Sequence, residues 1–426
     1  LSAEYDESKW ARAAAAARDV MELPGNNNGH RYQLYVKNRI RGGGTDDYPE
    51  TIEPFDDNNF SKKSWPDGYA DIDPFESYRS VFNGELSAYA NPELIFSRVD
   101  NITVDHSGEG TNSPDGIANM VLHQLPTVAG GWSMHGMTQK QCDSYYMADG
   151  TDCPGKDKEI GRGDGSARLS GYVTSEDVDA GRYKPLRAGV SLQYANREPR
   201  FYASVHYNGR PVLSAITVDD RNYFSSDKNK DGFGRAEYYY SGSSGAGTQM
   251  TDFTGYNVAK KVSTSSSIRN DQAVYRPYIH IRYAEILLNY MEAMNEYNPE
   301  DPKIITYFNE IRERAGIPNI TVTYPQDLGD KEKMREWILR ERQIELAFEG
   351  DRFWTLARRL LYEKEENRKI YRMNVLADDQ GQGFAFEGFY ERKLLQTRYW
   401  DNKMYLYPIA QTEIDRGRGL VQNPGW

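Results

Sequence analysis

The sequence has no long apolar run, no excess of positive charge and few cysteines. No stretch approaches the roughly 18 consecutive apolar residues of a transmembrane helix, and the most regular aliphatic patch is the alanine run at residues 13–17. The sequence therefore excludes a membrane-spanning helix. It has 52 basic against 63 acidic residues, and the basic residues form no stripe of the kind that a nucleic acid requires. Nucleic acid is therefore not expected as a partner.

Only two cysteines occur, Cys142 and Cys153, with ten residues between them. In an oxidising compartment this spacing permits a disulfide, which would stabilise the fold by about 3 kcal/mol through the loop that it closes. Two free thiols agree with the sequence equally well. The spacing alone therefore leaves the pairing open.

Motifs that would carry catalysis are largely absent. The six histidines stand apart, with no pair at metal-ligand spacing, and no Gly-x-Ser-x-Gly nucleophile elbow occurs. Residues 150–156 resemble a phosphate-binding loop, but Asp157 stands where a Ser or Thr hydroxyl must reach magnesium, and Pro154 removes a backbone amide. Carboxylate pairs for glycoside hydrolysis would have to come from distant positions, and nothing in the sequence selects one. No catalytic residue is therefore assigned.

One acidic segment has the spacing of a calcium-binding loop. Asp227, Asn229 and Asp231 alternate, and Gly232 follows them, as in the loop whose oxygen ligands come from positions 1, 3 and 5 and whose sixth residue is glycine. The bidentate acid that should close the loop is missing, since the twelfth position is Tyr238. The segment is therefore either a structural Ca²⁺ site or a turn rich in Asp and Asn.

Three parts of the chain differ in composition. Residues 1–25 have the three- and four-residue apolar spacing of a scaffold helix, which a Pro-Gly pair ends. Residues 26–275 are rich in Gly, Asn, Asp, Ser and Pro and predict a loop-rich region with short strands. Residues 276–426 return to helical periodicity.

Within these parts, four elements are predicted in detail. Residues 200–209 alternate and end in an Asn-Gly pair, which is typical of a β-hairpin. Amphipathic helices are predicted at residues 279–297 and 304–315, joined by a short turn that contains proline. Two such helices form a helical hairpin of tetratricopeptide type. A third helix is predicted at residues 331–348.

The aromatic residues lean toward tyrosine, with 32 Tyr against 15 Phe and 7 Trp. Several large rings stand beside glycines in the predicted loops, where a side chain has little to pack against. Such rings either anchor their loops onto the body of the protein or stack on sugars and on peptide side chains. As a group they favour ligand binding. The candidate binding residues are Trp65, Tyr69, Trp132, Phe233, Tyr239 and Tyr240.

Three segments of the C-terminal part carry specific patterns. Residues 276–290 contain Arg-Tyr-Ala-Glu-Ile-Leu-Leu, residues 338–354 contain Arg-Glu-Arg-Gln-Ile-Glu-Leu-Ala-Phe-Glu-Gly, and residues 405–426 end in Asn-Pro-Gly-Trp. In this order they resemble the signatures of the SusD/RagB family of outer-membrane nutrient- and glycan-binding lipoproteins. Weaker matches at residues 138–150 and 196–201 extend the resemblance over nearly all of the chain.

The resemblance implies a mainly α fold, in which a tetratricopeptide-like helical repeat scaffold holds a large loop-rich ligand-binding region with a few short β-hairpins. We also expect a partly buried ion network that locks the scaffold, formed by Arg340, Glu341, Arg342 and Glu345. The ligand face varies within the family, so the resemblance transfers no binding residue. The aromatic candidates therefore depend on their positions in loops.

The resemblance also implies a non-enzymatic binding protein on the cell surface, which captures oligosaccharides or polysaccharide and delivers them to a TonB-dependent transporter of the SusC type. Capture of peptides in the RagB manner is the alternative, and a glycoside hydrolase is the least favoured function. No cofactor is expected beyond the Ca²⁺ considered above.

The implied location is the outward face of the outer membrane, where the family is held by an N-terminal lipid anchor. We expect that anchor in a region absent from this chain, which opens at Leu1 without the pattern of a signal peptide. The cell surface is oxidising, which favours a disulfide between Cys142 and Cys153.

Overall fold

The computed structural model describes residues 4–26, 29–39, 54–98, 123–156, 170–212, 234–248, 253–263, 276–365, 369–417 and 419–426. The helices are α1 (Glu7–Met21), α2 (Pro74–Arg79), α3 (Gln139–Ser144), α4 (Ser175–Asp179), α5 (Pro199–Ser204), α6 (Tyr283–Tyr297), α7 (Pro302–Arg314), α8 (Ile320–Thr323), α9 (Lys331–Glu345), α10 (Asp351–Arg358), α11 (Tyr362–Glu365) and α12 (Gln411–Ile414). The strands are β1 (Leu94–Arg98), β2 (Val205–Tyr207), β3 (Tyr256–Val258), β4 (Tyr278–Arg282), β5 (Lys369–Met373) and β6 (Arg392–Thr397). Helices thus dominate the regular structure, as predicted.

Helix α6 is the centre of the scaffold and packs against α1, α7 and α9. Their shared core contains Ala17 and Met21 from α1, Leu287 and Met291 from α6, and Phe308 from α7. Complete burial of an apolar side chain as large as Leu, Met or Phe stabilises a fold by about 1.5–3 kcal/mol. This packing of amphipathic helices forms the tetratricopeptide-like scaffold that the sequence predicted.

Aspartates fix where three scaffold helices begin. Asp6 caps α1 by accepting a hydrogen bond from the backbone N–H of Ser8, and Asp301 and Asp330 cap α7 and α9 in the same way. Such caps contribute about 1 kcal/mol each, because they satisfy N–H groups that have no partner within the helix. The predicted third helix begins as expected, but α9 ends at Glu345 instead of residue 348.

The strands form three antiparallel pairs, β1 with β4, β2 with β3 and β5 with β6, and two predictions are wrong here. The helix predicted from residue 279 begins only at Tyr283, because the residues before it pair with β1. The hairpin predicted at residues 200–209 is also absent. Pro199 opens the short helix α5, as the fixed φ of proline favours, and β2 pairs with the distant β3.

A second core lies mainly in the loop-rich region, and tyrosine supplies much of it. The buried tyrosines of this core are Tyr78, Tyr145, Tyr146, Tyr194, Tyr202, Tyr207, Tyr238 and Tyr256. Tyr194 and Tyr207 lie 4.8 Å apart between ring centroids, and Phe201 stacks on Tyr207 at 6.0 Å. Aromatic pairs of this kind contribute about 0.5–1.5 kcal/mol beyond the area that they bury. Much of the tyrosine surplus is therefore structural.

A buried ion network joins this core to the scaffold. Its members are Glu93, Glu198, Arg200, Lys260, Arg282, Arg314, Glu341, Glu345 and Glu349. Arg200 Nη1 lies 2.6 Å from Glu341 Oε1 and 2.9 Å from Glu345 Oε2. Arg282 Nη1 lies 2.9 Å from the other oxygen of Glu345, which also accepts a hydrogen bond from Arg314. The two glutamates on α9 therefore bind arginines from separate parts of the chain.

The other two members of the predicted network lie elsewhere on α9. Arg340 pairs with Asp152, and Arg342 Nη2 lies 2.6 Å from Asp351 Oδ1. The predicted ion network is thus present, but it is divided between a fully buried part and these two outer pairs.

The structure contradicts the predicted disulfide. Cys142 and Cys153, both within the described residues, are free and buried. Cys153 Sγ lies 3.9 Å from Asp143 Oδ1, and burial raises the pKa of both thiols. Disulfide exchange requires a thiolate, so this environment keeps the sulfurs in their unreactive form.

No helix within the described residues combines the length and the apolar character that crossing a bilayer demands.

Candidate functional site

Trp132 lies on a tight turn, and the residues on either side of it hold its side chain outward. Gly130 adopts a φ of 80°, and Ser133 adopts 52°, both in the left-handed region. A Cβ on Gly131 would lie 2.0 Å from the carbonyl oxygen of Leu125, so only glycine fits there. Trp132 remains 39% exposed.

Hydrogen bonds lock this turn onto the body of the protein. The backbone N–H of Ser133 donates to the carbonyl of Leu125 at 3.0 Å, and Asn257 Nδ2 donates to the carbonyl of Ser133 at 3.0 Å. Ser133 itself is buried. A left-handed residue that is not glycine costs of order 1–3 kcal/mol and persists only where its surroundings fix it. The exposed position of Trp132 is therefore built into the fold.

A second loop with two of the predicted aromatics contacts the first. Ser244 Oγ accepts a hydrogen bond from the N–H of Thr127 and lies 2.9 Å from Ser133 Oγ. The preceding Tyr240 is 36% exposed, whereas Tyr239 is half-buried and packs edge-to-face on Phe384 at 5.3 Å. The structure thus brings the loops of Trp132 and Tyr240 together, and it uses Tyr239 mainly as an anchor.

Two histidines stand beside Trp132. The ring of His123 meets the indole edge-to-face at 4.9 Å, and it stacks on the ring of His135 at 5.9 Å between centroids. The backbone N–H of Met134 donates to the carbonyl of His123 at 2.8 Å and fixes the arrangement. Met134 is 59% exposed. We call His123, Trp132, Met134 and His135 the Trp132 surface.

Burial and two neighbouring groups act on the protonation of His135. Partial burial lowers the pKa of His135, and the charges of His123 and Arg276 lower it further. A neutral imidazole carries one N–H donor and one acceptor nitrogen. The Trp132 surface thus combines a flat indole, a flexible thioether and two polar rings. Such a surface can stack on a ligand and hydrogen-bond its edge.

Two of the predicted binding residues lie in a different part of the molecule. Tyr69 is completely buried, packed with Phe60 and Ile72, and its hydroxyl donates to the carbonyl of Phe55 or to Asp57 at 3.1 Å. The prediction that Tyr69 binds ligand is therefore wrong. Gly68 allows its loop to fold back onto Phe60, since a Cβ at this position would lie 2.3 Å from the carbonyl oxygen of Phe60.

Trp65 is half-buried and packs against both the Tyr69 cluster and the scaffold core. It does not join the Trp132 surface. Its backbone N–H donates to Asp71 at 2.8 Å, which holds the loop in place. Trp65 therefore anchors a loop, which was the alternative reading of these aromatics.

Four further candidates, Phe233, Asp227, Asn229 and Asp231, lie outside the described residues. Across the part of the chain that the structure describes, no group of three His, Cys, Asp or Glu side chains could hold a metal ion.

His123, Met134 and His135 were not predicted from the sequence. The two histidines were judged scattered, because twelve positions separate them and no metal motif has that spacing. The available signal was their placement on either side of the Gly-Gly-Trp turn. A glycine pair of this kind reverses the chain and brings its flanks together.

Comparisons with known proteins agree with the resemblance seen in the sequence. Two SusD-like proteins of Formosa agariphila are 29% identical over 153 residues and 33% identical over 125 residues. These matches cover 35% and 28% of this chain, and 26% and 23% of the relatives. The chain thus spans about a quarter of the length of these curated relatives.

Solved structures extend the similarity to the fold. A SusD-like protein from Bacteroides fragilis has a TM-score of 0.56 and 27% identity, covering 85% of this chain and 60% of its own. A SusD-like carbohydrate binding protein from the same organism has a TM-score of 0.50 and 23% identity, covering 79% and 56%. The model of the SusD family matches residues 92–426, which is most of the chain, and this protein belongs to that family.

Proposed function

We propose that the protein is a non-enzymatic cell-surface binding protein, which captures oligosaccharides on the Trp132 surface and delivers them to a TonB-dependent outer-membrane transporter. Membership of the SusD family supports this proposal. The observation that carries it is the exposed indole of Trp132, which is held outward by a locked, glycine-dependent turn.

The chemistry of the surface suits a sugar. The C–H face of a pyranose ring stacks on an indole, while its hydroxyls exchange hydrogen bonds with nearby polar groups. Here the neighbouring imidazoles of His123 and His135 supply donors and acceptors. Binding of one short ligand would be modest, because water competes for those hydrogen bonds at an exposed site.

The same proposal places the protein on the outward face of the outer membrane, held by a lipid anchor beside its transporter. The solved Bacteroides fragilis relative that is described as a carbohydrate binding protein supports a carbohydrate ligand. Binding without turnover is favoured because the ring that packs on Trp132 is the imidazole of His123, whereas glycoside hydrolysis uses a pair of carboxyl groups.

Replacement of Trp132 by alanine tests the site. We expect Trp132→Ala to weaken oligosaccharide binding by about 1–2 kcal/mol, or roughly 5- to 30-fold, because it removes the stacking face. The thermal midpoint should stay close to that of the wild type, since the indole is exposed. Calorimetry against a panel of neutral and acidic glycans would measure the affinity, and a thermal scan would measure the stability.

Tyr89→Ala is the matched control, because Tyr89 is fully exposed on another loop. It should leave both affinity and stability unchanged. If the protein binds peptides from a mixture but binds no glycan, the proposed sugar ligand is wrong and peptide capture of the RagB kind takes its place. Turnover of a bound glycan would contradict the non-enzymatic proposal, and a collapse of stability in Trp132→Ala would show that the indole is structural.

A further inference from the structure

We propose that the two-stranded sheet of β1 and β4 is a second glycan-binding surface, whose exposed rings bind the same polysaccharide as the Trp132 surface. This inference rests on the proposed function and adds a second point of contact for its ligand. The rings are those of Phe96, Tyr278 and His280, which we call the Tyr278 surface.

The three rings contact one another and are open to solvent. Phe96 is 59% exposed and Tyr278 is 53% exposed, and His280 is exposed as well. The ring of Phe96 stacks on that of His280 at 5.3 Å between centroids, and Tyr278 meets His280 edge-to-face at 4.9 Å. The rings thus form a continuous strip that also carries an imidazole and a phenol hydroxyl, which can exchange hydrogen bonds with a ligand.

Irregular pairing of the two strands brings Phe96 into this strip. Phe96 lies opposite Ile281 in the register, and the register shifts on both sides of Phe96. Its ring nevertheless stacks on that of His280. Irregularities of this kind re-aim side chains and are common next to active sites. The position of Phe96 is therefore a specific feature of this sheet and does not follow from regular alternation.

The buried ion network fixes one end of the sheet. Arg282, the last residue of β4, lies 2.9 Å from a carboxylate oxygen of Glu93, which directly precedes β1. The backbone N–H of Tyr283 also donates to the carbonyl of Glu93, at 2.8 Å. Both strands are thereby tied to the scaffold. A surface that is ordered before its ligand arrives loses less entropy on binding.

Two residues in the left-handed region border the Tyr278 surface. Lys261 has a φ of 75° and Phe348 a φ of 61°, and Lys261 Nζ donates to the carbonyl of Phe348 at 2.5 Å. The same ammonium group lies 5.8 Å from the ring centroid of Tyr278, where cation and ring attract each other. Left-handed residues other than glycine are costly and cluster at active sites and ligand clamps. The strained backbone beside Tyr278 therefore supports a binding role for its ring.

The size of the sheet favours a sugar over a protein partner. Each of the two strands has five residues, so the face of the sheet measures about 17 by 10 Å. A stable protein interface needs about 800 Å² from each partner, which is several times that area. A strip of this size suits a few sugar residues, whose C–H faces stack on aromatic rings.

The Tyr278 surface is linked to the Trp132 surface by a short path through the protein. Gln124, which follows His123, accepts a hydrogen bond from Arg276 Nη2 at 3.4 Å. Tyr278 stands two positions beyond Arg276. The Cα atoms of His123 and Tyr278 therefore lie within about 30 Å of each other. A polysaccharide that spans this distance can bind both surfaces, and the second contact, once the first is made, is intramolecular and raises the overall affinity.

Calorimetry with short and long forms of one glycan tests the second surface. The short probes are the trisaccharides of cellulose, xylan, laminarin, starch and polygalacturonate, and the long probes are soluble forms of the parent polysaccharides. We expect the wild type to bind two molecules of one trisaccharide. Trp132→Ala should keep one of these sites, and the double variant Phe96→Ala with Tyr278→Ala should keep the other. The polysaccharide should bind about tenfold more tightly to the wild type than to either variant.

Tyr407→Ala is the matched control, because Tyr407 is 68% exposed in the C-terminal segment. It should keep both sites and the wild-type affinity for the polysaccharide. Circular dichroism would verify that each variant is folded. If the double variant does not fold, Tyr278→Ala alone replaces it and should weaken the second site about fivefold or more.

The outcomes separate this inference from the proposed function. A single trisaccharide site in the wild type that Trp132→Ala abolishes overturns the inference and leaves the proposed function in place. Wild-type binding by the folded double variant also overturns the inference. If Trp132→Ala binds like the wild type while the double variant binds nothing, the glycan site lies on the sheet and the Trp132 surface is wrong. If no glycan binds, both proposals fail.

Discussion

Replacement of Glu345 by alanine is expected to lower the free energy of unfolding by about 3–5 kcal/mol. The carboxylate is fully buried and accepts hydrogen bonds from Arg200, Arg282 and Arg314. Burial raises the pKa of Glu345, but the three guanidinium groups outweigh it and hold the pKa well below its usual range. Its removal would leave buried cations without their shared counter-charge, which costs far more than the pair contributes when intact.

Glu336→Ala on the same helix is the matched control. Glu336 is 66% exposed and lies 3.7 Å from Lys333, and an exposed pair of this kind contributes about 0–1 kcal/mol. Denaturant unfolding of the two variants and the wild type measures both effects. A loss below about 1 kcal/mol in Glu345→Ala would mean that the network relaxes around the missing carboxylate.

The dependence of stability on acid pH gives a second measurement of the same ion network. Burial raises the pKa of Glu349, but Arg282 and Lys260 lower it to about 2, against an ordinary 4.5. A carboxylate with a depressed folded-state pKa stabilises the fold above its unfolded pKa, and this contribution disappears as pH falls through the folded value. Wild-type stability should therefore fall between pH 4.5 and about 2. Glu345→Ala should lose less over this window, because one of the contributing carboxylates is already gone.

Carboxylates with raised pKa values act at higher pH and do not obscure this effect. Burial raises the pKa of Glu313 to about 7. Its folded-state pKa lies above the unfolded one, so its effect on stability is confined to the range above pH 4.5. The range below that value is shared with Glu296, whose pKa is raised by burial but lowered further by Arg335 and Arg359 to about 2. The difference between wild type and Glu345→Ala therefore isolates the contribution of the buried ion network.

Tyr69→Ala is expected to destabilise the protein by about 3–5 kcal/mol, as truncation of a buried aromatic ring usually does. The ring fills the cluster with Phe60 and Ile72 and has no exposed surface. Glycan affinity of the folded protein should remain that of the wild type, because this cluster is separate from the Trp132 surface. The effect is thus the opposite of that expected for Trp132→Ala.

Tyr69→Phe separates the ring from the hydroxyl. It keeps the packing and removes only the hydrogen bonds to the carbonyl of Phe55 and to Asp57, a loss of about 1 kcal/mol. Chemical unfolding and calorimetry on the three proteins complete the comparison. Reduced glycan binding by folded Tyr69→Ala, at unchanged stability, would restore the original prediction for this residue.

The contrast between Tyr69 and Trp132 shows where sequence reasoning reaches its limit. Both stand beside glycine in a segment without helical periodicity, and the local pattern treats them alike. Gly68 brings its loop against Phe60, whereas Gly131 presses its turn against Leu125 and leaves the indole outside. These contacts depend on how each loop meets the body of the protein, which local spacing does not encode.

The helices and strands of the fold also differ in how far local sequence signals predict them. The scaffold helices were predictable, because their apolar spacing and aspartate caps are local signals. Strand β4 was not, since its partner β1 lies far earlier in the chain. The stacked pair of His123 and His135 also escaped prediction, because the turn between them closes through contacts with Asn257 and Ser244.

The convergence of three arginines on Glu345 bears on how the chain folds. Arg200 is 145 positions away in sequence, Arg282 is 63 away and Arg314 is 31 away. A carboxylate that needs all of them cannot be desolvated in a partly assembled intermediate without a large penalty. The ligand-bearing loops and the helical scaffold should therefore fold together, late and cooperatively. A protease that acts during folding should release few stable fragments.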